Sequence, residues 1–291
     1  MLSPLPAGKR EKERLALKKM TRFRQQLWIR TLLLALFSAA AVVLHFRLRG
    51  TLPNYAYLTG WVLFVVMILL TIYNARKKLP FLPLASSETW LQFHIYAGFF
   101  TVILFLIHLN FRMPTGLFEG TLAWLYVLVT GSGIVGLVLT RVLPRRLSTR
   151  GGEVIYENIP ALRNDLREQA EALALGPATR SPAIAEFYAT QLSDFFSGPR
   201  HFGRHLLESR GPLNGILSHL DELRRFLNEQ EQVTAEKLAQ LVRQKDGLDY
   251  HRTLQLTLKL WLFVHLPLTY SLMIFTLLHI VLVFAFSGGA R

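Results

Sequence analysis

Among the nine histidines of this 291-residue chain, four share one spacing. His94 and His108 stand fourteen residues apart in one apolar segment, and His265 and His279 stand fourteen apart in another. Fourteen residues of α-helix rise about 21 Å and return the second side chain to within roughly 40° of the first. Each segment, as a helix, therefore carries two imidazoles on one face, one toward each end. Neutral imidazole is a good axial ligand for haem iron. Two on one iron give a six-coordinate, low-spin centre suited to electron transfer rather than oxygen binding. Two such helices side by side would hold two stacked, non-covalent b haems, one near each surface of a bilayer. A lone histidine in a membrane helix can serve only to bond a neighbouring helix. Ionisable residues inside a bilayer are costly, however, and usually functional.

The elements that must position these histidines are apolar spans. Hydrophobic residues make up 51% of the chain, and the mean hydropathy is +0.30, more apolar than a soluble domain of this length. Five stretches approach the ~20 residues needed to cross a hydrocarbon core as helix: Leu27–His45, Tyr55–Tyr73, Trp90–Leu109, Leu122–Leu143 and Leu260–Phe286. The first follows a long charged tail, so it reads as a retained helix rather than a signal peptide. The fold class expected is an all-α membrane protein, a bundle of about five transmembrane helices with a helical cytoplasmic insertion.

Charge orients the bundle. The net charge is +14. Eight Lys and Arg lie between Lys9 and Arg24, three more are Arg76, Lys77 and Lys78, and Arg141, Arg145, Arg146 and Arg150 follow the fourth span. If five helices alternate, all of these fall on one side, and Arg47, Arg49, Arg112 and Arg291 on the other. The positive-inside rule then puts the N-terminus in the cytoplasm and the C-terminus outside, in a cytoplasmic (inner) membrane. Attraction to anionic lipid accounts for the basic tail, read as a surface-lying or disordered arm. No aromatic-and-basic platform supports nucleic acid as a partner. The chain has no cysteine, which excludes disulfides, iron–sulfur clusters and covalent c-type haem within it.

Four regions follow: a basic cytoplasmic tail (1–26), spans one to four (27–143), the insertion (144–256), and span five with a short outer C-terminus (257–291). In the insertion, Ala161–Leu175, Pro182–Phe196 and Pro212–Leu227 carry apolar residues at helical period. Gly-Pro at 176–177 and 211–212 and Ser-Gly-Pro at 197–199 mark turns. Thr234 is read as the N-cap of a last helix that continues through Gly247 into span five.

This topology makes the two histidine helices parallel, so His94 pairs with His265 near the cytoplasmic face and His108 with His279 near the outer face. Gly98, one turn beyond His94, gives a macrocycle room at the backbone. Gly131, Ser132, Gly133 and Gly136 form a small-residue stripe, read first as a helix-packing face and second as haem clearance. Arg112, with Arg47 or Arg49, is a candidate for outer haem propionates, and Arg141, Arg252 or Lys259 for inner ones; snorkelling to lipid phosphate is the competing reading of each. Pro267 is a candidate kink in span five. His45 reads as an interfacial residue, or as a contact to a quinone, a propionate or a further haem. His201 and His205, four residues apart, lack an evident third metal ligand. His219 and His251 read as polar-face residues.

The two His-x13-His helices, two helices ahead of the first and one between, resemble the di-haem cytochrome b superfamily, and within it the ferric-reductase-like transmembrane domain shared with NADPH oxidases. The resemblance covers the membrane spans, rather more than half of the chain. It implies two bis-histidine b haems. The chain departs from that family in showing no sixth span, no flavin or nicotinamide segment, and a far longer insertion before span five. Electrons are therefore expected to enter from a quinol or a partner. The function expected is that of a di-haem cytochrome b subunit carrying electrons between the quinone pool and a partner redox protein such as a c-type cytochrome. Two alternatives stay open: a ferric or oxygen reductase subunit fed by a separate flavoprotein, and a non-redox membrane scaffold or assembly factor.

Overall fold

A computed structural model describes residues 7–52, 54–78, 86–148, 154–176 and 181–287; for residues 7–24 and 74–78 it describes the helix alone. Pro53, Arg150, Pro177 and Arg291 lie outside the described residues, as do the side chains of the basic tail through Arg24 and of Arg76, Lys77 and Lys78. Among the described residues every regular element is a helix. The order is α1 (Ala7–Leu48), α2 (Tyr55–Lys78), α3 (Ser87–His108), α4 (Leu117–Leu147), a 3₁₀ turn (Tyr156–Asn158), α5 (Ile159–Leu175), α6 (Pro182–Phe187), a π turn (Tyr188–Leu192), α7 (Ser193–Ser197), α8 (Phe202–Leu206), α9 (Gly211–Arg224) and α10 (Glu229–Ser287). Five of these, α1 to α4 and α10, are long and apolar enough to cross a membrane.

Two of the expectations change here. Residues 7–24 continue α1, rather than forming a disordered arm. Beyond Gly8 that segment is built of strong helix formers with no Gly or Pro, which favours continuation. Thr234 lies inside α10, and its hydroxyl donates back to the Gln230 carbonyl (3.3 Å). The helix start is capped by Asn228 instead. The Glu231 N–H donates to Asn228 Oδ1 (2.9 Å) and the Asn228 N–H donates to Glu231 Oε2 (2.9 Å). This reciprocal pair satisfies two donors that a helix start leaves open. Asn228→Ala is expected to lower stability by ~0.5–2 kcal/mol, read as a lower urea midpoint of the full chain. An unchanged midpoint would show that the pair does not hold the helix start.

The chain divides into two compact units, Met1–Gly133 with His265–Arg291, and Ile134–Val264. In the first, Leu63 and Met67 of α2, Leu104 of α3, Tyr126 of α4 and Leu272 of α10 form a buried cluster. Tyr126 stacks on Phe105 with centroids 4.0 Å apart. Its hydroxyl donates to Thr101 Oγ1 (3.0 Å), and the Thr101 hydroxyl donates to the Gly98 carbonyl (2.7 Å). A buried polar pair is thereby satisfied within apolar surroundings. Trp28, Leu32, Leu36 and Phe37 stand exposed along α1, an apolar surface of the kind a lipid phase covers.

After His108 the chain reverses through Asn110 (φ 51°) and Phe111 (φ 55°). The Phe111 N–H donates to the Leu106 carbonyl (2.9 Å) and the Asn110 N–H to the Ile107 carbonyl (2.9 Å), closing the helix end through left-handed residues. Asn tolerates that conformation; Phe does so at a cost. The Phe111 ring stacks against Phe46 (6.4 Å, 6°) and meets His45 edge-on (5.7 Å), contacts that offset it.

In the second unit, Ile159, Leu166, Ala170 and Ala174 of α5 form a helical stripe. They pack with Ile184, Phe187, Leu192, Phe195 and Phe196, with Leu220 of α9, and with Ala235, Leu238 and Val242 of α10. The expected helical character of the insertion holds, although 182–197 is α-helix interrupted by one π turn. The unit reaches further along both flanking helices than the polar insertion does. Leu143 of α4 packs with Tyr250 and Leu254 of α10, and Gly136 lies against the Trp261 indole, where a Cβ would overlap the ring.

Lys245 and Asp249 continue the buried stripe of α10. Their side chains are 0% and 1% exposed, with Nζ 2.5 Å from Oδ2. Lys245 also donates to the Gly198 carbonyl (2.8 Å) and lies 4.1 Å from the centroid of Phe195. Asp249 accepts from the Arg200 N–H (3.1 Å). The pair thus ties the Ser197–Arg200 turn to the long helix.

Candidate functional site

His108 ends α3 and His279 lies on the C-terminal part of α10; both imidazoles line one apolar cavity of about 390 Å³ within the first unit. Its walls come from α2 (Gly60, Trp61, Met67), α3 (Phe105), α4 (Tyr126) and α10 (Leu272, Val283), with Glu119 as its acidic lining residue. His108 and His279, which the expected topology pairs, both line this cavity. Phe118 lies parallel to His279, centroids 6.3 Å apart at 20°. The cavity falls within the ~300–1,000 Å³ of small-molecule and cofactor sites. Two imidazoles and an apolar lining fit the donor set and surface of a flat, apolar, iron-bearing macrocycle.

The second pair is placed through its neighbours. His94 lies against Tyr73 of α2, centroids 5.0 Å apart. His265 lies against α4, where Ser132 Oγ is 2.7 Å from His265 Nδ1 and a Cβ on Gly133 would stand 3.8 Å from the ring. The small-residue stripe therefore has two uses. Ser132 and Gly133 face His265, while Gly136 makes the close packing with Trp261.

His108 is held in the same way from α2. Thr59 Oγ1 is 3.2 Å from His108 Nδ1, and a Cβ on Gly60 would stand 3.0 Å from His108 Cε1. Neither Thr59 nor Gly60 stands out along the chain: hydroxyl-glycine dipeptides occur at Thr59-Gly60, Thr130-Gly131 and Ser132-Gly133 in these spans, and nothing in the sequence selects the two that meet a histidine.

Gly98 has open space where a Cβ would project. Arg112 is exposed on the turn after α3. Arg47 is exposed, and the Arg49 guanidinium lies 5.1 Å from the centroid of Phe46. Arg141 is exposed and Arg252 half-buried. Lys259 is engaged elsewhere: it donates to Glu157 Oε1 (2.8 Å) and lies 3.7 Å from the centroid of Tyr156. That hydrogen bond holds the Glu157 carboxyl below its ordinary range. Pro267 sits inside the unbroken helix α10.

The remaining histidines separate by burial. His45 is 1% exposed. Its Nδ1 is 3.0 Å from the Tyr55 hydroxyl, and Phe46 and Phe111 close over the ring. His251 is buried rather than on a polar face, because its side of α10 faces the core of the second unit. His205 is buried with Nε2 3.8 Å from Asp246. His201 is exposed. Desolvation, then the nearby cations Arg204, Lys245 and Arg200, push the His201 imidazole below its ordinary range. His219 is exposed and bonds Gln191 (2.9 Å). Among the described residues no group of three or more His, Asp or Glu could hold a metal ion; a bis-imidazole haem site asks only two ligands of the protein.

No family model, no curated protein and no solved structure matches the chain.

Proposed function

We propose that this chain is a membrane di-haem cytochrome b subunit that carries electrons across a cytoplasmic membrane between the quinone pool and a partner redox protein such as a c-type cytochrome. One observation carries the reading: His108 and His279, drawn from separate apolar helices, line a single apolar cavity, and each belongs to a pair with the same fourteen-residue spacing. Haem iron held between such histidines supplies a one-electron couple. The chain's own groups do the rest. His108 and His279 are the ligands of the outer site, and His94 and His265 those of the inner one, with Gly98 clearing space at the inner site and Arg112 available to an outer propionate. The apolar walls from α2, α4 and α10 exclude water, and a low dielectric at such a site tunes the potential. The N-terminus lies in the cytoplasm and the C-terminus outside, by the distribution of Lys and Arg.

The full chain in lipid nanodiscs is expected to show haem reduction on addition of a short-chain quinol, without any other protein. Haem bands that respond only to an added flavoprotein would reject the quinone-linked reading and favour the ferric or oxygen reductase subunit. A colourless, folded preparation from haem-replete cells would favour the scaffold.

A further inference from the structure

Two unconnected places in the first unit repeat one arrangement. Thr59 Oγ1 lies 2.9 Å from the Ala56 carbonyl and 3.2 Å from His108 Nδ1. Ser132 Oγ lies 2.8 Å from the Val129 carbonyl and 2.7 Å from His265 Nδ1. In each case the carbonyl belongs to the residue three positions earlier on the same helix. In each case the next residue is a glycine beside Cε1 of the same imidazole, Gly60 for His108 and Gly133 for His265. A hydroxyl has one proton. Given to the carbonyl, it leaves the oxygen able only to accept from the ring, and Nδ1 must then carry hydrogen. The basic lone pair of a neutral imidazole so held is on Nε2.

We infer that Thr59 and Ser132, each followed by its glycine, are positioning residues that fix His108 and His265 as Nδ1–H tautomers and present Nε2 as the ligating atom. The inference rests on the haem reading for its purpose, and on geometry alone for the tautomer. A metal-bound histidine commonly donates its other ring N–H to an acceptor that fixes its orientation and raises its basicity. Here a hydroxyl plays that part twice. The glycine lets the ring lie against the neighbouring helix, since a Cβ at residue 60 would press within 3.0 Å of His108 Cε1. In the assigned pairing each site receives one histidine seated this way. Its counterpart lies beside an aromatic ring, Phe118 for His279 and Tyr73 for His94.

The test has two readouts on the full chain in bilayers. The first is the ¹⁵N spectrum of histidine-labelled, haem-free protein, with His108 and His265 assigned by loss of signal in His108→Gln and His265→Gln. The expected result is a protonated Nδ1 and a pyridine-type Nε2 at both residues, kept in Thr59→Ser and lost in Thr59→Val and Ser132→Ala. The second is haem titration of the same proteins. Thr59→Val and Ser132→Ala are expected to weaken one site by about 10–100-fold, with Thr59→Ser near the parent value. A protonated Nε2 at either histidine in the unsubstituted chain overturns the inference, and that measurement does not depend on any variant folding. So does a tautomer unchanged by both Thr59→Val and Ser132→Ala. An Nδ1–H tautomer at both residues in a chain that takes up no haem would uphold the seats and overturn the haem reading.

Discussion

Replacing His108 by alanine is expected to lower the haem content of the purified chain from two per polypeptide to one. In the proposed reading His108 is a ligand of the outer site, because it lines the same cavity as His279. Removing it takes away half of the axial coordination and leaves His279 as the remaining imidazole on that wall. The inner pair lies fourteen residues away on the same two helices, about 21 Å along the axis, so it is expected to keep its haem. His279→Ala should reproduce the loss, and His94→Ala and His265→Ala should each remove the other haem. The check is a pyridine-haemochrome count against protein concentration for all four variants. Retention of two haems in His108→Ala would remove His108 from the ligand set. Loss of both haems in every variant would mean that the pairs are not independent sites.

The second large effect lies in the other unit. Lys245→Ala is expected to destabilise the chain by ~3–5 kcal/mol, because it leaves the Asp249 carboxylate buried without its counter-charge. Asp249 is 1% exposed, and among the described residues it also accepts from the Arg200 backbone N–H at 3.1 Å. The Gly198 carbonyl loses its donor as well. The double replacement Lys245→Met with Asp249→Leu removes both charges while keeping much of the volume, and it should recover most of the loss. Buried pairs exchanged for apolar residues are often neutral or better. Thermal unfolding of the full chain in detergent, followed by circular dichroism and by tryptic cleavage within 154–264, measures both. A Lys245→Ala variant that unfolds with the parent would show that the pair is solvated or weakly coupled.

Spans and helices were legible because they depend on local pattern. The five apolar stretches coincide with five long helices, and the apolar stripes near 161–175 and 212–227 became α5 and α9. Continuation of the last helix through Gly247 was legible too: one glycine in a long run of good helix formers weakens a helix by only about 1 kcal/mol. The cap was misread because Thr234 and Asn228 are both favourable cap types. The choice was made by Glu231, three residues after Asn228, which returns the hydrogen bond.

The parts that were not legible depend on contacts distant in sequence. Thr59 meets His108 across 49 positions and Ser132 meets His265 across 133. Neither hydroxyl is distinguishable, along the chain, from a residue bonding its own helix backbone. The Lys245–Asp249 pair has the i, i+4 spacing of an exposed helical ion pair, and only the packing of Phe195 and the Gly198 turn against it shows that it is buried. His45 failed to read as buried for a similar reason: its cover comes from Phe111, held in place by two left-handed residues.

The central claim is that two pairs of histidines hold two b haems. It is tested most directly by a reduced-minus-oxidised absorption spectrum of the purified full chain together with a haem count per polypeptide. The account predicts the split bands of two non-covalent, low-spin b haems and a count of two. A folded sample from haem-supplied cells with no such bands would contradict it.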